Sequence, residues 1–311
     1  MKTIYLVITS MILLFLSCKK ESTNTPSTTN TPRIEYLDEC EDIPPFEGLG
    51  WGYNYISESV GYYNITRNPY NEEEIFYFKY NQNIENNNNQ IIKYNFSTKQ
   101  ETVIYHDNPI SYCSSPNEKG WILFNMNFGD IYKIKTNGDS LTLIKQNNCY
   151  NPIWIGNNKI IYSTETIPYI INEQGNILDS IPNTYPETFS IKNNNLLLTH
   201  DNKIILYKLD TKEITDIILG NIIFRADWID NEKFVWCDRD AIYKTNINTQ
   251  ETDTIKQVCN STLHESCIYS SFLNKYVFSV ELHNKTDSIT INRRYILTIM
   301  DINGDNEYVF K

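Results

Sequence analysis

The sequence carries almost no helical periodicity. Apolar residues seldom recur at three- and four-residue spacing, which argues against a helical fold. Long apolar runs are scarce too, and beyond residue 16 none is long enough to cross a bilayer. Positive charge is in deficit. There are 27 Lys and Arg against 38 Asp and Glu, a formal net charge of -11. This balance speaks against nucleic acid as a partner and against electrostatic docking on anionic lipid. Catalytic signatures are missing as well. There is no Gly-x-Ser-x-Gly elbow, no His-Glu-x-x-His, no phosphate loop and no dinucleotide fingerprint. The seven cysteines show no metal-ligand spacing, so no metal or cofactor is expected.

What is present begins with an export signal. An apolar run from Ile4 to Leu16 follows Lys2 and ends at Ser17-Cys18. It is too short to span a membrane and has the length of a signal-peptide core. The ending resembles the lipobox of bacterial lipoproteins. That resemblance implies cleavage after residue 17 and lipidation of Cys18, hence a protein anchored to the membrane rather than spanning it. Residues 18–33 are rich in Ser, Thr, Asn and Pro and read as a flexible tether. Residues 34–59 form an N-terminal lead-in to the larger domain. In an exported chain the cysteines beyond Cys18 permit disulfides. Cys259 and Cys267, close in sequence, are the first pair to consider. The others read equally well as buried free thiols.

From residue 60 onward, short Ile-, Tyr- and Phe-rich runs alternate with Asn, Asp, Gly and Pro clusters, the pattern of an all-β protein. The stretch IYKIKTNGDSLTLI (131–144) reads as a β-hairpin around Asn137-Gly138-Asp139. It has five counterparts. The last apolar residue before each turn is Phe96, Ile134, Ile171, Leu209, Ile247 and Met300, at spacings of 38, 37, 38, 38 and 53. A second series of polar turns, each followed by a strand, interleaves with the first. Four strands at a period near 40 residues predict a six-bladed β-propeller of four-stranded antiparallel blades over 60–311. Solenoid repeats are usually shorter, and a two-sheet sandwich does not account for six aligned copies. The wide last spacing marks an insertion in blade six, over 280–297.

Some of these units resemble the repeats of TolB-type propellers. The matching stretches are Ser115-Pro116-Asn117, Ile131-Tyr132-Lys133-Ile134 with Asn137-Gly138-Asp139, and Ile299-Met300-Asp301 with Asn303-Gly304-Asp305. Blades three to five depart from the pattern, with turns at Asn157-Asn158, Asn193-Asn194 and Asp230-Asn231. The resemblance implies the fold and says little about activity, because such repeats are structural.

In a propeller the second-to-third-strand loops and the blade-to-blade loops open on one face. That assigns all four histidines to a single rim: His106 after blade one, His200 in blade four, His264 after blade five and His283 in the insertion of blade six. Acidic neighbours accompany three of them, at Asp107, Asp201 and Glu265. The same rim collects Arg225, Asp227, Asp238-Arg239-Asp240, Tyr150 and Arg293-Arg294. His, Asp and Arg together suit a carbohydrate, a peptide or a metal, although Asp238-Arg239-Asp240 also reads as a tight polar turn. Trp154 and Trp228 occupy aligned positions and read as blade-packing aromatics. Four Asp-Ser/Thr-apolar triplets, at Ser140, Ser180, Thr254 and Ser288, resemble the O-glycosylation triplet of exported Bacteroides and Flavobacterium proteins. They also suit ordinary turns.

The sequence therefore predicts a lipoprotein of the cell envelope, on the outer membrane and facing the periplasm or the surface. Its expected role is a non-enzymatic binding or protein-interaction scaffold for a protein or glycan ligand. The alternative is a carbohydrate-active lyase or glycosidase drawing acid and base from the His/Asp rim.

Overall fold

The computed structural model of the chain describes residues 60–81 and 89–311, apart from 108, 128, 183, 185, 201, 221–222, 260–261 and 286–289. It also describes two short stretches, 35–36 and 54–57. The lipidation site Cys18, the tether, Asp201 and Ser288 lie outside the described residues.

Six antiparallel sheets follow one another along the chain. Blade one holds β3 (Val60–Arg67), β4 (Glu74–Asn81), β5 (Gln90–Asn95) and β6 (Gln100–Tyr105). Blade two holds β7 (Ile110–Cys113), β8 (Trp121–Met126), β9 (Asp130–Lys135) and β10 (Thr142–Lys145). Blade three holds β11 (Tyr150–Ile155), β12 (Lys159–Ser163), β13 (Tyr169–Asn172) and β14 (Ile177–Ser180). Blade four holds β15 (Thr188–Lys192), β16 (Asn195–His200), β17 (Lys203–Lys208) and β18 (Ile214–Leu219). Blade five holds β19 (Ile223–Trp228), β20 (Lys233–Asp238), β21 (Ala241–Asn246) and β22 (Thr252–Gln257). Blade six holds β23 (Thr262–Ser270), β24 (Lys275–Lys285), β25 (Thr290–Asp301) and β26 (Tyr308–Val309). No helix occurs among the described residues. The protein is an all-β, six-bladed propeller of four-stranded antiparallel blades.

The second strand of each blade explains why the sequence shows apolar runs there rather than alternation. Phe76-Tyr77-Phe78, Ile122-Leu123-Phe124 and Leu196-Leu197-Leu198 are buried on both faces, because a neighbouring blade covers each side. Burying one such side chain contributes about 1.5–3 kcal/mol. Outer strands differ, and β6 exposes its first four residues. The core falls into six apolar clusters, each bridging adjacent blades; the one between blades three and four also takes in Tyr112 of blade two. The last of them joins Ile65, Tyr77 and Ile92 of blade one to Ile268, Val277 and Leu297 of blade six. That contact closes the ring, and the Ile65 N–H donates to Ser266 Oγ across it at 3.4 Å.

The chain also fastens the ring at blade six. β1 (Glu35–Tyr36) pairs with β26, so the C-terminal outer strand is itself covered. β2 (Asn54–Ser57) runs parallel to the start of β25. The blade-six insertion is an extension of β24 and β25, which stay paired from Lys275↔Asp301 out to Lys285↔Ile291.

The Asn-Gly-Asp turn acts between blades. Gly175 and Gly304 have φ of +80° and +92°, where an L side chain is strained. A methyl group at Gly175 would lie 2.4 Å from Ile144 O of β10, and one at Gly304 would lie 2.3 Å from Ile255 O of β22. These glycine turns thus rest on the outer strand of the preceding blade. The first-to-second-strand turns are also linked. Asn117 Nδ2 donates to Asn157 O at 3.2 Å, and Asn193 Nδ2 donates to Asn231 Oδ1 at 3.2 Å.

Candidate functional site

The innermost strands β3, β7, β11, β15, β19 and β23 enclose a cavity of about 420 Å³, within the usual range for small-molecule sites. Each blade contributes to its wall, through Arg67, Tyr112, Trp154, Ser190, Asp227 and Ser270 in turn. Its mouth lies among the first-to-second-strand turns, at Tyr70, Asn117, Gly156, Asn193 and Ser271. The rim expected from sequence lies at the other end of the strands.

Arg225 is the principal charge in this wall. A register shift between Ile223 and Arg225 bulges β19, and bulges re-aim the side chains that follow them. Arg225 is only 5% exposed. Its guanidinium lies 5.5 Å from the ring centroid of Tyr112, and its Nε and Nη1 find no hydrogen-bond partner. No carboxylate pairs with it among the described residues. Burial pushes the Tyr112 hydroxyl up to about 12, against the pull of the Arg225 charge. Asp227, two residues along the same strand, projects to the same side as Arg225. Its Oδ1 accepts the Ser190 hydroxyl and lies 3.7 Å from Arg67 Nη2, while Oδ2 has no partner. Trp154 is 5% exposed, and its indole Nε1 is also unpartnered. Trp228, by contrast, is packed away and donates to Ser190 O at 3.3 Å.

The remaining residues singled out from the sequence do not converge. His106 is exposed beyond β6 and pairs with its neighbour, Nδ1 lying 3.0 Å from Asp107 Oδ1. His200 is half-buried at the end of β16. Asp238 ends β20, and its Oδ1 accepts the backbone N–H groups of Asp240 and Ala241 at 2.8 and 2.9 Å. This is the tight polar turn, with Arg239 inside it. Tyr150 opens β11. His264 does not sit in a loop. It lies in β23, 1% exposed, because that strand runs nine residues and takes up Glu265 as a bulge between His264 and Ser266. His264 Nε2 meets Glu307 Oε1 at 2.8 Å. Lys256 and Thr298 also reach Glu307, and mainly the His264 charge holds this carboxyl down at about 2 despite burial. His283 is buried in β24 and meets Glu281 Oε1 at 2.9 Å, with Arg293 Nε at 3.1 Å from the same oxygen. Burial, then the Glu281 charge, pushes the Glu265 carboxyl up to about 8. The four histidines thus share one end of the strands, but two are locked into separate buried networks.

The disulfide expected from sequence does not form. Cys267 is a free thiol, as are Cys113, Cys149 and Cys237, all buried. Cys259 is disulfide-bonded, but not to Cys267. Cys267 is held in β23 and points into the blade-five/blade-six core, where its Sγ lies 3.6 Å from Val235 O. Of the triplet hydroxyls, Ser140 and Thr254 are on exposed residues, while Ser180 is half-buried at the end of β14. Among the described residues no group of three or more His, Cys, Asp and Glu is placed to hold a metal.

Sequence reasoning picked out Arg225 and Asp227 but missed Arg67, Ser190 and Tyr112. The signal available was position: each belongs to, or ends, an innermost strand ahead of an aligned turn.

No family model matches this chain, and no curated protein matches it. Solved structures share its fold. TolB from Acinetobacter baumannii is similar at TM-score 0.56 and 13% identity, over 80% of this chain and 62% of that one. The β-propeller domain of the Trilobed protease from Pyrococcus furiosus is similar at TM-score 0.52 and 12% identity, over 82% of this chain and 97% of that one. The chain spans 25% of the length of tricorn protease, which it resembles at TM-score 0.41. The first two likenesses are of fold alone: TolB and the protease domain are propeller neighbours of this six-bladed ring.

Proposed function

We propose that this chain is a non-catalytic binding scaffold of the bacterial cell envelope that takes its ligand in the central cavity. The observation that carries this reading is the buried, unpaired charge of Arg225 in the cavity wall, beside an Asp227 whose Oδ2 has no partner. Burying a charge without a partner is costly, and a bound ligand offsets that cost. The same wall offers little for catalysis. Among the described residues no histidine or cysteine lines it. Of its carboxylates, Glu72 is exposed, Glu74 accepts from Asn68 and lies 3.5 Å from Lys93, and Asp227 accepts from Ser190. The carbohydrate-active alternative is not favoured, since the His/Asp rim it needs is divided among separate networks.

In this reading, lipid on Cys18 holds the propeller at the outer membrane of a bacterium of the Bacteroides and Flavobacterium group, facing the periplasm or the surface. Glycans on Ser140, Ser180 and Thr254 would decorate the outer strands, away from the cavity, and Ser288 would be a fourth acceptor in the blade-six insertion. Residues 18–33 give the propeller reach from the membrane.

Saturation-transfer NMR on the chain tests the reading, with a mixture of amino acids, short peptides and sugar acids. At least one compound should show transfer and remain chemically unchanged. Ser271→Trp, an exposed substitution at the mouth, should abolish that transfer. Conversion of a compound, or transfer indifferent to Ser271→Trp, would count against it.

A further inference from the structure

Resting on the cavity as the binding site, the geometry points to the class of ligand. We propose that the cavity binds a small zwitterion, a free amino acid or short peptide, with its carboxylate at Arg225 and its ammonium at Asp227.

The argument starts from what each group lacks. Arg225 can only donate, and two of its three guanidinium nitrogens have no acceptor. Asp227, when ionised, can only accept, and its Oδ2 has no donor. They stand two residues apart in β19 and both line the cavity, yet they do not pair with each other. A ligand that satisfies both must present an acceptor and a donor together. A bare anion answers Arg225 alone and leaves Asp227 facing a like charge. A bare cation does the reverse.

Net charge selects further. The chain carries -11, so its long-range field disfavours anions approaching the mouth. A zwitterion has no net charge and meets no such barrier. The rest of the wall sets the side-chain preference. Tyr112, Ile153, Trp154, Phe189 and Ile268 give the cavity an apolar, aromatic lining, which suits a hydrophobic side chain between two charged ends. Each charge is also kept in place. Arg225 lies over the Tyr112 ring, and Asp227 is held through Oδ1 by Ser190 and Arg67, which leaves Oδ2 for the ligand. The groups are fixed before a ligand arrives, which lowers the entropic cost of binding.

Isothermal titration of the full chain tests the assignment with L-phenylalanine and with the dipeptide L-Leu-L-Phe. These two probes separate the free amino acid from the peptide. N-acetyl-Leu-Phe removes the ammonium, Leu-Phe-amide removes the carboxylate, and D-galacturonate supplies a carboxylate with hydroxyl donors only. At least one zwitterion should bind, and each blocked form about 10- to 100-fold more weakly, because a buried charge is then left unpaired. Asp227→Asn should erase the preference over the N-acetyl form while keeping the preference over the amide. Arg225→Gln should do the opposite. This crossed pattern cannot arise from misfolding, which would weaken every probe alike. Blocked forms that bind as tightly as the zwitterion would overturn the proposal. So would D-galacturonate binding alone, or no heat from either zwitterion at millimolar concentration. If the NMR screen finds a different ligand that Ser271→Trp excludes, the scaffold reading stands and only this assignment falls.

Discussion

Removing the charge from Glu307 should lower stability by about 3 kcal/mol at neutral pH. The carboxylate is 1% exposed. It accepts from His264 Nε2 at 2.8 Å, from Lys256 Nζ at 2.9 Å and from Thr298 Oγ1 at 2.7 Å. Those donors come from β23, β22 and β25, so one side chain ties blade five to blade six. Its environment lowers the pKa from 4.5 to about 2. A drop of about 2.5 units at about 1.36 kcal/mol per unit gives about 3 kcal/mol. The sign follows from the depression. Above 4.5 the unfolded state has no excess of bound protons and the full contribution is present. Between 4.5 and about 2 the unfolded chain takes up a proton that the folded one refuses, and the contribution is lost as pH falls. Glu307→Gln keeps the shape and removes the charge, leaving Lys256 without a counter-ion. Urea unfolding of both proteins at pH 7, 5 and 3, with the Cys259 disulfide intact, reads the difference directly. The gap should be about 3 kcal/mol at pH 7 and fall to about half of that at pH 3. A gap below about 1 kcal/mol at pH 7, or one that does not change with pH, would refute the reasoning.

Glu265 should act with the opposite sign. Burial and Glu281 raise its pKa from 4.5 to about 8, so its contribution is complete below 4.5 and is lost as pH rises toward 8. Calorimetric melting should show stability falling over that window, and Glu265→Gln should flatten the fall; an unaltered slope speaks against it. Gly175→Ala should cost about 1–3 kcal/mol by chemical denaturation, because it adds a clash with Ile144 O to backbone strain. Gly156→Ala, at φ +65° with open space around it, should cost only about 1 kcal/mol. Equal costs would mean that the turn does not rest on the preceding blade. Cys237 and Cys267, both fully buried, should resist iodoacetamide in the native state and react on unfolding; rapid native alkylation would contradict their burial.

The fold was legible because its determinants are local and repeated. A turn such as Asn137-Gly138-Asp139 announces a hairpin through φ alone, and six copies at a near-constant spacing then require a ring. The closing device was not legible. Two residues, Glu35 and Tyr36, pair with a strand at the far end of the chain, and nothing in their composition marks that partner. The candidate site divides along the same line. Residue chemistry drew attention to all four histidines, and the repeat assigned them to loops at one end of the strands. Burial then separated them, because the bulge at Glu265 draws His264 into β23 against Glu307, 43 residues away.

Arg225 and Asp227 are the converse case. Their significance rests on single atoms left without partners, Nε and Nη1 of Arg225 and Oδ2 of Asp227, and such an absence leaves no trace in sequence. Ser190 reaches Asp227 from 37 residues away in blade four, and Arg67 approaches it from blade one. A buried guanidinium usually finds a carboxylate within a fold that has many to spare. This chain has an excess of 11 acidic groups over basic ones, yet places none of the described ones against Arg225. Stability alone would favour filling that position with a paired or apolar residue, so an unpaired charge held over Tyr112 in a cavity is the feature that stability does not explain and binding does.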